Sequence, residues 1–139
     1  MSKIFASVLN VGYNFFITGK SNLIILCPII SFALDLDNGK LFLAKNGAYK
    51  NQSGATGDPV NGTNPTFTIS DTTKTYGFYT EMRGNDNNGT IMNLGNGYFG
   101  TTAVSSAQNP DDGNGIFEYD PPSGFRALCT KSINAQEYS

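Results

Sequence analysis

Short runs of alternating apolar and polar residues are the main pattern of this chain. Residues 32–36 (FALDL) alternate ahead of Asp37, Asn38 and Gly39, and residues 41–45 (LFLAK) follow them. Alternating runs on both sides of Asn-Gly are typical of a β-hairpin, because its tight turn needs positive φ. A second Asn-Gly turn at residues 46–47 closes the next strand soon afterwards. The pattern predicts an antiparallel meander.

The rest of the chain continues in short strands and turns. Residues 1–34 are apolar strands with weak turn signals, and long polar loops follow at residues 50–66 and 101–114. Further strands are predicted at residues 66–70, 76–82, 90–94, 117–119 and 125–128. Many short strands between turn signals are typical of a sandwich or barrel. We therefore predict one all-β domain over residues 1–139, an antiparallel β-sandwich without internal repeats.

Composition limits the partners that the domain can bind. Charged residues make up 14% of the chain, against about a quarter in typical domains. The polarity comes largely from Gly and Asn, with 16 of each. Net charge is −2 and the isoelectric point is near 4.8, with no basic patch. Binding of nucleic acid is not expected, since it needs clustered Lys and Arg.

The reactive side chains are few. There is no His, which excludes His-based triads and His-ligated zinc. Cys27 and Cys129 are far apart and form no CxxC motif. They are either two buried thiols or, in an oxidising compartment, a disulfide. We expect no catalytic residues, no bound metal and no cofactor.

Three weaker patterns have simpler interpretations. Asp35 and Asp37 do not match a calcium loop, because Gly39 comes one position early. Glu118 and Asp120 lie two apart on a strand-like piece, but the prolines that follow Asp120 indicate an exposed strand end rather than a catalytic pair. The apolar run at residues 23–34 is too short to span a membrane, so no membrane partner is expected. Residues 1–34 fit a signal peptide poorly, and a buried strand pair around Pro28 is preferred.

Three segments together resemble the C-terminal half of a SPRY (B30.2-like) domain. Residues 35–47 (DLDNGKLFLAKNG) resemble its hairpin signature, and residues 90–99 (TIMNLGNGYF) resemble its closing strand. Residues 119–130 (YDPPSGFRALCT) resemble the tail of SPRY-like modules from bacteriophage and marine metagenomic proteins. The resemblance covers residues 32–131. Leu94 replaces the usual Phe, and the family's Trp-containing N-terminal half is missing.

The resemblance implies a SPRY, concanavalin-like jelly-roll sandwich that is incomplete at its N-terminal side. Residues 1–31 would then be atypical strands. Either they replace the missing strands, or the chain is a fragment of a longer protein. A half-sandwich leaves edges and an apolar face unpaired. The expected outcomes are a compact but smaller sandwich, a dimer that completes the sheets or an aggregation-prone fragment, and we favour self-association into a homo-oligomer.

The resemblance also implies a non-catalytic module that binds a protein or a glycan through loops at one end of the sandwich. The loops in question are residues 48–66, 83–89 and 101–115. Their candidate binding residues are Tyr49, Asn51, Asp58, Arg83, Asn85, Asp111 and Asp112. Tyr79 and Tyr98 are interpreted as packing residues. By analogy, the setting is a phage virion or tail, or the cytoplasm of an infected host, and the alternative function is purely structural packing in a virion or fibre.

Overall fold

The chain folds mainly into β-strands, which confirms the all-β prediction. The computed structural model describes residues 3–11, 28–77 and 89–137. Its strands are β1 (Lys3–Val11), β2 (Ile29–Asp35), β3 (Lys40–Lys45), β4 (Ala48–Lys50), β5 (Phe67–Thr68), β6 (Gly89–Asn93), β7 (Tyr98–Phe99), β8 (Thr102–Ala103) and β9 (Arg126–Ala127). One helix, α1 (Thr130–Glu137), follows the last strand.

Seven strands form one sheet with β1 in its interior. The order is β4-β3-β2-β1-β6, with β5 paired to β3 and β9 paired to β1. All pairs are antiparallel except β1–β9, which is parallel. The strands β7 and β8 form a separate two-stranded ladder. The sandwich stays a prediction, because the described residues form one large sheet.

Both predicted hairpins are confirmed. The β2–β3 pair is antiparallel with Asp35 opposite Lys40, so its connection has four residues, and Gly39 takes a φ of 61°. The β3–β4 connection is shorter, because Lys45 pairs with Ala48 across Asn46 and Gly47. Both turn residues have positive φ, as a two-residue type I′ turn requires.

One face of the sheet carries an aromatic core. Phe5 on β1 and Phe42 on β3 are fully buried, and Ala33 lies between them in register. Phe117 and Phe125 cover this face from the C-terminal part of the chain. The rings of Phe5 and Phe117 meet edge to face, with centroids 4.8 Å apart. The segments around Phe117 and Phe125 therefore pack on this face of the sheet.

The opposite face of the sheet is apolar as well. On β2 it carries Ile30, Phe32 and Leu34, which alternate with the residues of the core face. On β3 it carries Leu41 and Leu43, which pair with Leu34 and Phe32. Ile30 is buried and the other four are half-buried. Two apolar faces are typical of a sheet that forms the middle of a layered domain.

Several predicted elements differ from those observed. Helix α1 and the parallel β9 pairing were not predicted. The strand predicted at residues 66–70 is reduced to β5, and that at 117–119 is reduced to a bridge between Phe117 and Gln108. Of the strand predicted at 76–82, Tyr76 and Gly77 are not in a strand and the remainder lies outside the described residues, as do residues 12–27.

Candidate functional site

The predicted binding residues of the 48–66 loop hold the loop itself together. The Asn51 side-chain oxygen accepts hydrogen bonds from the Ser53 amide, the Ser53 hydroxyl and the Ala55 amide. The Asp58 carboxylate accepts bonds from the backbone and side-chain nitrogens of Asn61 at 3.0 and 2.7 Å. These bonds lower the pKa of Asp58. Both side chains therefore order the loop, in the way that Asn and Asp order turns generally.

Tyr49 packs on the core instead of facing solvent. It is half-buried against the aromatic cluster and lies opposite Ala44, whose small side chain leaves space for the ring. Burial, and then the negative charge of Asp120, raise the pKa of the Tyr49 phenol. Beside it, a Cβ at Gly47 would lie 2.8 Å from the Tyr119 ring. Tyr49, which was predicted as a loop contact residue, therefore lies on β4 with its ring against the core, and its role in binding stays a prediction.

Asp111 and Asp112 clamp the 101–115 loop onto the C-terminal segment. The Asp111 carboxylate accepts hydrogen bonds from the Ser123 hydroxyl at 2.7 Å and the Gly124 amide at 2.9 Å, and both lower its pKa. The Asp112 carboxylate accepts bonds from the Asn114 amide at 3.0 Å and the Ser132 hydroxyl at 3.3 Å. These are structural bonds, and they join two segments that are distant in sequence.

The cysteine beside this clamp is bonded to a buried serine. The Cys129 thiol donates to the Ser132 oxygen, 3.6 Å away, and Ser132 in turn donates to Asp112. Ser132 is completely buried, so a substrate cannot reach its hydroxyl. Cys129 is a free cysteine, whereas Cys27 lies outside the described residues. Among the described residues, no group of three or more Cys, Asp or Glu could hold a metal ion.

The two candidate loops that the structure describes attach to different parts of the fold. Loop 50–66 connects β4 to β5, both at the β3 edge of the sheet. The 101–115 segment bonds to residues 95–97 and 117–132, at the β6 and β9 side. Arg83 and Asn85 lie outside the described residues. In the part of the chain that the structure describes, the predicted binding residues are therefore spread over separate loops.

Three apolar side chains on neighbouring backbone segments are exposed to solvent. Leu94, Tyr98 and Ile116, here called the Tyr98 patch, are 37%, 47% and 39% exposed. The patch is assembled by backbone pairing, in which the Ile116 amide donates to the Gly95 carbonyl at 3.0 Å. A Cβ at Gly97 would lie 3.1 Å from Ile116 Cγ2, so the Ile116 side chain lies over the residue that precedes Tyr98.

The Tyr98 patch was missed because Tyr98 was interpreted as a packing residue, and this interpretation is wrong. In the two-residue strand β7 it is Phe99 that is buried, at 5% exposure, while Tyr98 points to the opposite side. Gly95, Gly97 and Gly100 around it all have positive φ, which keeps the strand short. The close spacing of these glycines was the feature of the sequence that could have indicated a short strand here. Tyr79 lies outside the described residues.

No family model, curated protein or solved structure matches the chain. The resemblance of residues 32–131 to SPRY domains therefore stays a prediction that rests on the three sequence segments. No helix among the described residues is long and apolar enough to cross a membrane.

Proposed function

We propose that this chain is a non-catalytic recognition module that binds its partner through the Tyr98 patch. The observation that carries the proposal is the 47% exposure of Tyr98 directly beside the buried Phe99. Apolar surface left in water gains free energy when a partner covers it. Tyrosine adds a rigid ring and a hydroxyl, the combination that binding surfaces favour.

The backbone around the patch is held by hydrogen bonds. The Asn96 side-chain oxygen accepts a bond from the Tyr98 amide at 3.3 Å, and the Gly97 carbonyl accepts one from the Val104 amide at 3.0 Å. The Asn93 side chain, fully buried, donates to the Ile116 carbonyl at 3.0 Å. Because the contact residues sit on a backbone that is already ordered, this chain loses less conformational entropy when it binds a partner.

The SPRY resemblance adds a partner class and a setting to this proposal. It favours a protein or a glycan as the ligand and a phage virion, a tail or an infected cell as the place. A fold analogy does not fix function, so the setting needs its own test. Tail or capsid genes on both sides of the coding gene would favour the virion, whereas a cluster of metabolic genes would argue against it.

The binding site is tested by a screen that does not presuppose the ligand. The immobilised chain is probed with a glycan array of charged and neutral sugars and with a displayed library of random peptides. Every ligand obtained is then measured against Tyr98→Ala and against Tyr76→Ala. Tyr76 is a matched control, since it is 42% exposed but lies outside the patch.

We expect ligands from at least one library to lose binding to Tyr98→Ala and to keep binding to Tyr76→Ala. The proposal is overturned if neither library yields a ligand, or if the ligands bind Tyr98→Ala as well as they bind the unmodified chain.

A structural packing role is the second candidate, and the spread of the loops favours it. The predicted binding side chains on the described loops form hydrogen bonds within the chain itself. They are Asn51, Asp58, Asp111 and Asp112. A packing domain would assemble with its own copies, so light scattering should detect oligomers, fibres or particles that grow with protein concentration. A monomer at all concentrations would exclude this role and also the predicted self-association.

A further inference from the structure

Two of the three residues of the Tyr98 patch, Leu94 and Tyr98, lie in an uncharged part of the chain. No Lys, Arg, Asp or Glu occurs between Gly89 and Pro110, a stretch that contains β6, β7 and β8. The nearest carboxylate bonded to this stretch is that of Glu118, which accepts bonds from the Ser105 amide and hydroxyl. A phosphate or another ionic ligand would need an opposite charge here. The surface chemistry fits a ligand that is itself neutral.

One side of the Tyr98 ring is open. In the β7–β8 ladder Tyr98 pairs with Ala103, and directly opposite residues share a face of the ladder. Ala103 presents only a methyl group and is itself exposed. A long side chain at that position would cover the ring. The open ring is a flat apolar surface onto which a second flat apolar surface can stack.

A hydrogen-bond donor is fixed next to the ring. Asn96 is exposed, and its side-chain oxygen is engaged by the Tyr98 amide. Among the described residues its Nδ2 group has no hydrogen bond to a protein acceptor, and an amide nitrogen carries two donor hydrogens. The Asn96 oxygen bond orients these donors relative to Tyr98. They can therefore bond to hydroxyl groups of a ligand that stacks on the ring.

We propose that the ligand of the Tyr98 patch is a neutral glycan. A pyranose ring has a flat face of C–H groups that stacks on an aromatic ring, and a rim of hydroxyls that bond to amides such as that of Asn96. It carries no charge, as the stretch from Gly89 to Pro110 carries none. This inference rests on the proposed function, since it names the ligand class of the same patch.

Affinity electrophoresis tests the inference with defined probes. Native gels are cast with dextran, galactomannan, hydroxyethyl cellulose or soluble starch, and the migration of each variant is compared with that in a gel without polysaccharide. We expect at least one polysaccharide to retard the unmodified chain and Tyr76→Ala equally. Tyr98→Ala should bind about tenfold more weakly or worse, as loss of one stacking ring does elsewhere.

Two further variants separate stacking from a loss of folding. Tyr98→Phe keeps the ring and should keep the retardation. Ala103→Lys covers the ring without removing it and should abolish the retardation. Both positions are exposed, so thermal unfolding should be unchanged in all variants.

The inference is overturned if none of the four polysaccharides retards the chain, or if Tyr98→Ala is retarded as strongly as the unmodified chain. If the peptide library nevertheless yields ligands that depend on Tyr98, the recognition function stands and only the glycan is wrong. If no ligand of any kind depends on Tyr98, both proposals fail.

Discussion

Ser7 on β1 and Ser31 on β2 are directly opposite each other, and both side chains are buried on the core face of the sheet. Neither hydroxyl has a hydrogen-bond partner among the residues that the structure describes. A buried hydroxyl without a partner loses its bonds to water and costs about 1–3 kcal/mol. These two hydroxyls therefore lower the stability of the folded sheet.

Replacing both serines by alanine should stabilise the protein. We expect the Ser7→Ala, Ser31→Ala double variant to raise the free energy of unfolding by about 1 kcal/mol, measured by urea denaturation. Ser132→Ala is the control, because Ser132 is equally buried but donates to Asp112. It should destabilise by about 1–2 kcal/mol. A loss of stability in the double variant would mean that the two hydroxyls are bonded after all.

Gly115 and Gly113 should respond very differently to alanine. Both have positive φ, at 122° and 68°. A Cβ at Gly115 would lie 2.7 Å from the Cβ of Ala127, whereas nothing lies within 4 Å of one at Gly113. Gly113→Ala should therefore cost only about 1 kcal/mol, from backbone strain. Gly115→Ala adds a clash with β9 and should cost at least about 2 kcal/mol more. Equal losses in thermal unfolding would show that the close approach does not exist.

The carboxylate of Asp35 should be essential to the β2–β3 hairpin. It is buried, accepts bonds from the Asn38 amide and side-chain nitrogen at 3.1 and 2.9 Å, and lies 3.5 Å from the Lys3 ammonium. Removing one member of a buried polar set leaves the others unpaired, so Asp35→Ala should cost about 3 kcal/mol. The exposed pair Asp71–Lys74 is the control, and Lys74→Ala should change stability by less than about 1 kcal/mol. If Asp35→Ala lowers the free energy of unfolding as little as Lys74→Ala does, the carboxylate is not essential to the hairpin.

Acid should destabilise the protein through Asp111, among other carboxylates. Bonds from Ser123 and Gly124 lower its pKa below the ordinary 3.8. A lowered folded pKa means that the ion contributes stability above the ordinary value, and that this stability disappears as the pH falls through the folded value. In denaturation curves taken across this range, Asp111→Asn should flatten the loss of stability at low pH. Ser123→Ala should do so in part, and an unchanged acid limb in both variants would refute the role of this clamp.

Local turn chemistry was readable from the sequence, whereas long-range pairing was not. Asn46 and Gly47 specify their turn by themselves, because both must take positive φ and few other residues do so readily. The β9 strand is only two residues long and pairs with β1 in parallel. A strand was predicted at residues 125–128, but its sequence does not indicate which strand it pairs with or in which direction. Pairing at that distance is decided by the packing of Phe117 and Phe125 on the sheet, which no short window contains.

The candidate site also has local features that the sequence predicts and long-range contacts that it does not. Asn51 and Asp58 were located correctly on a loop, but whether a side chain bonds to its own loop or to a ligand depends on its neighbours in space. Tyr49 is the middle residue of β4 and Tyr98 is the first residue of β7, and each comes shortly after an Asn-Gly pair. Ala44 and the aromatic core behind it bury Tyr49, whereas Ala103 leaves Tyr98 open. These partners are set by register, and the sequence alone did not give the register.

The interior position of β1 has a consequence for how the protein is made. Ile4 pairs with Leu34 on one side and with Arg126 on the other, so β1 needs a partner that is synthesised more than a hundred residues after it. Helical turns and hairpins can form while the chain emerges from the ribosome, but this sheet cannot close until β9 has been released. Contacts so distant in sequence slow folding, typically to milliseconds or seconds. Until then the edge of β1 is open to pairing with other chains, and chaperones or low expression temperature should increase the yield.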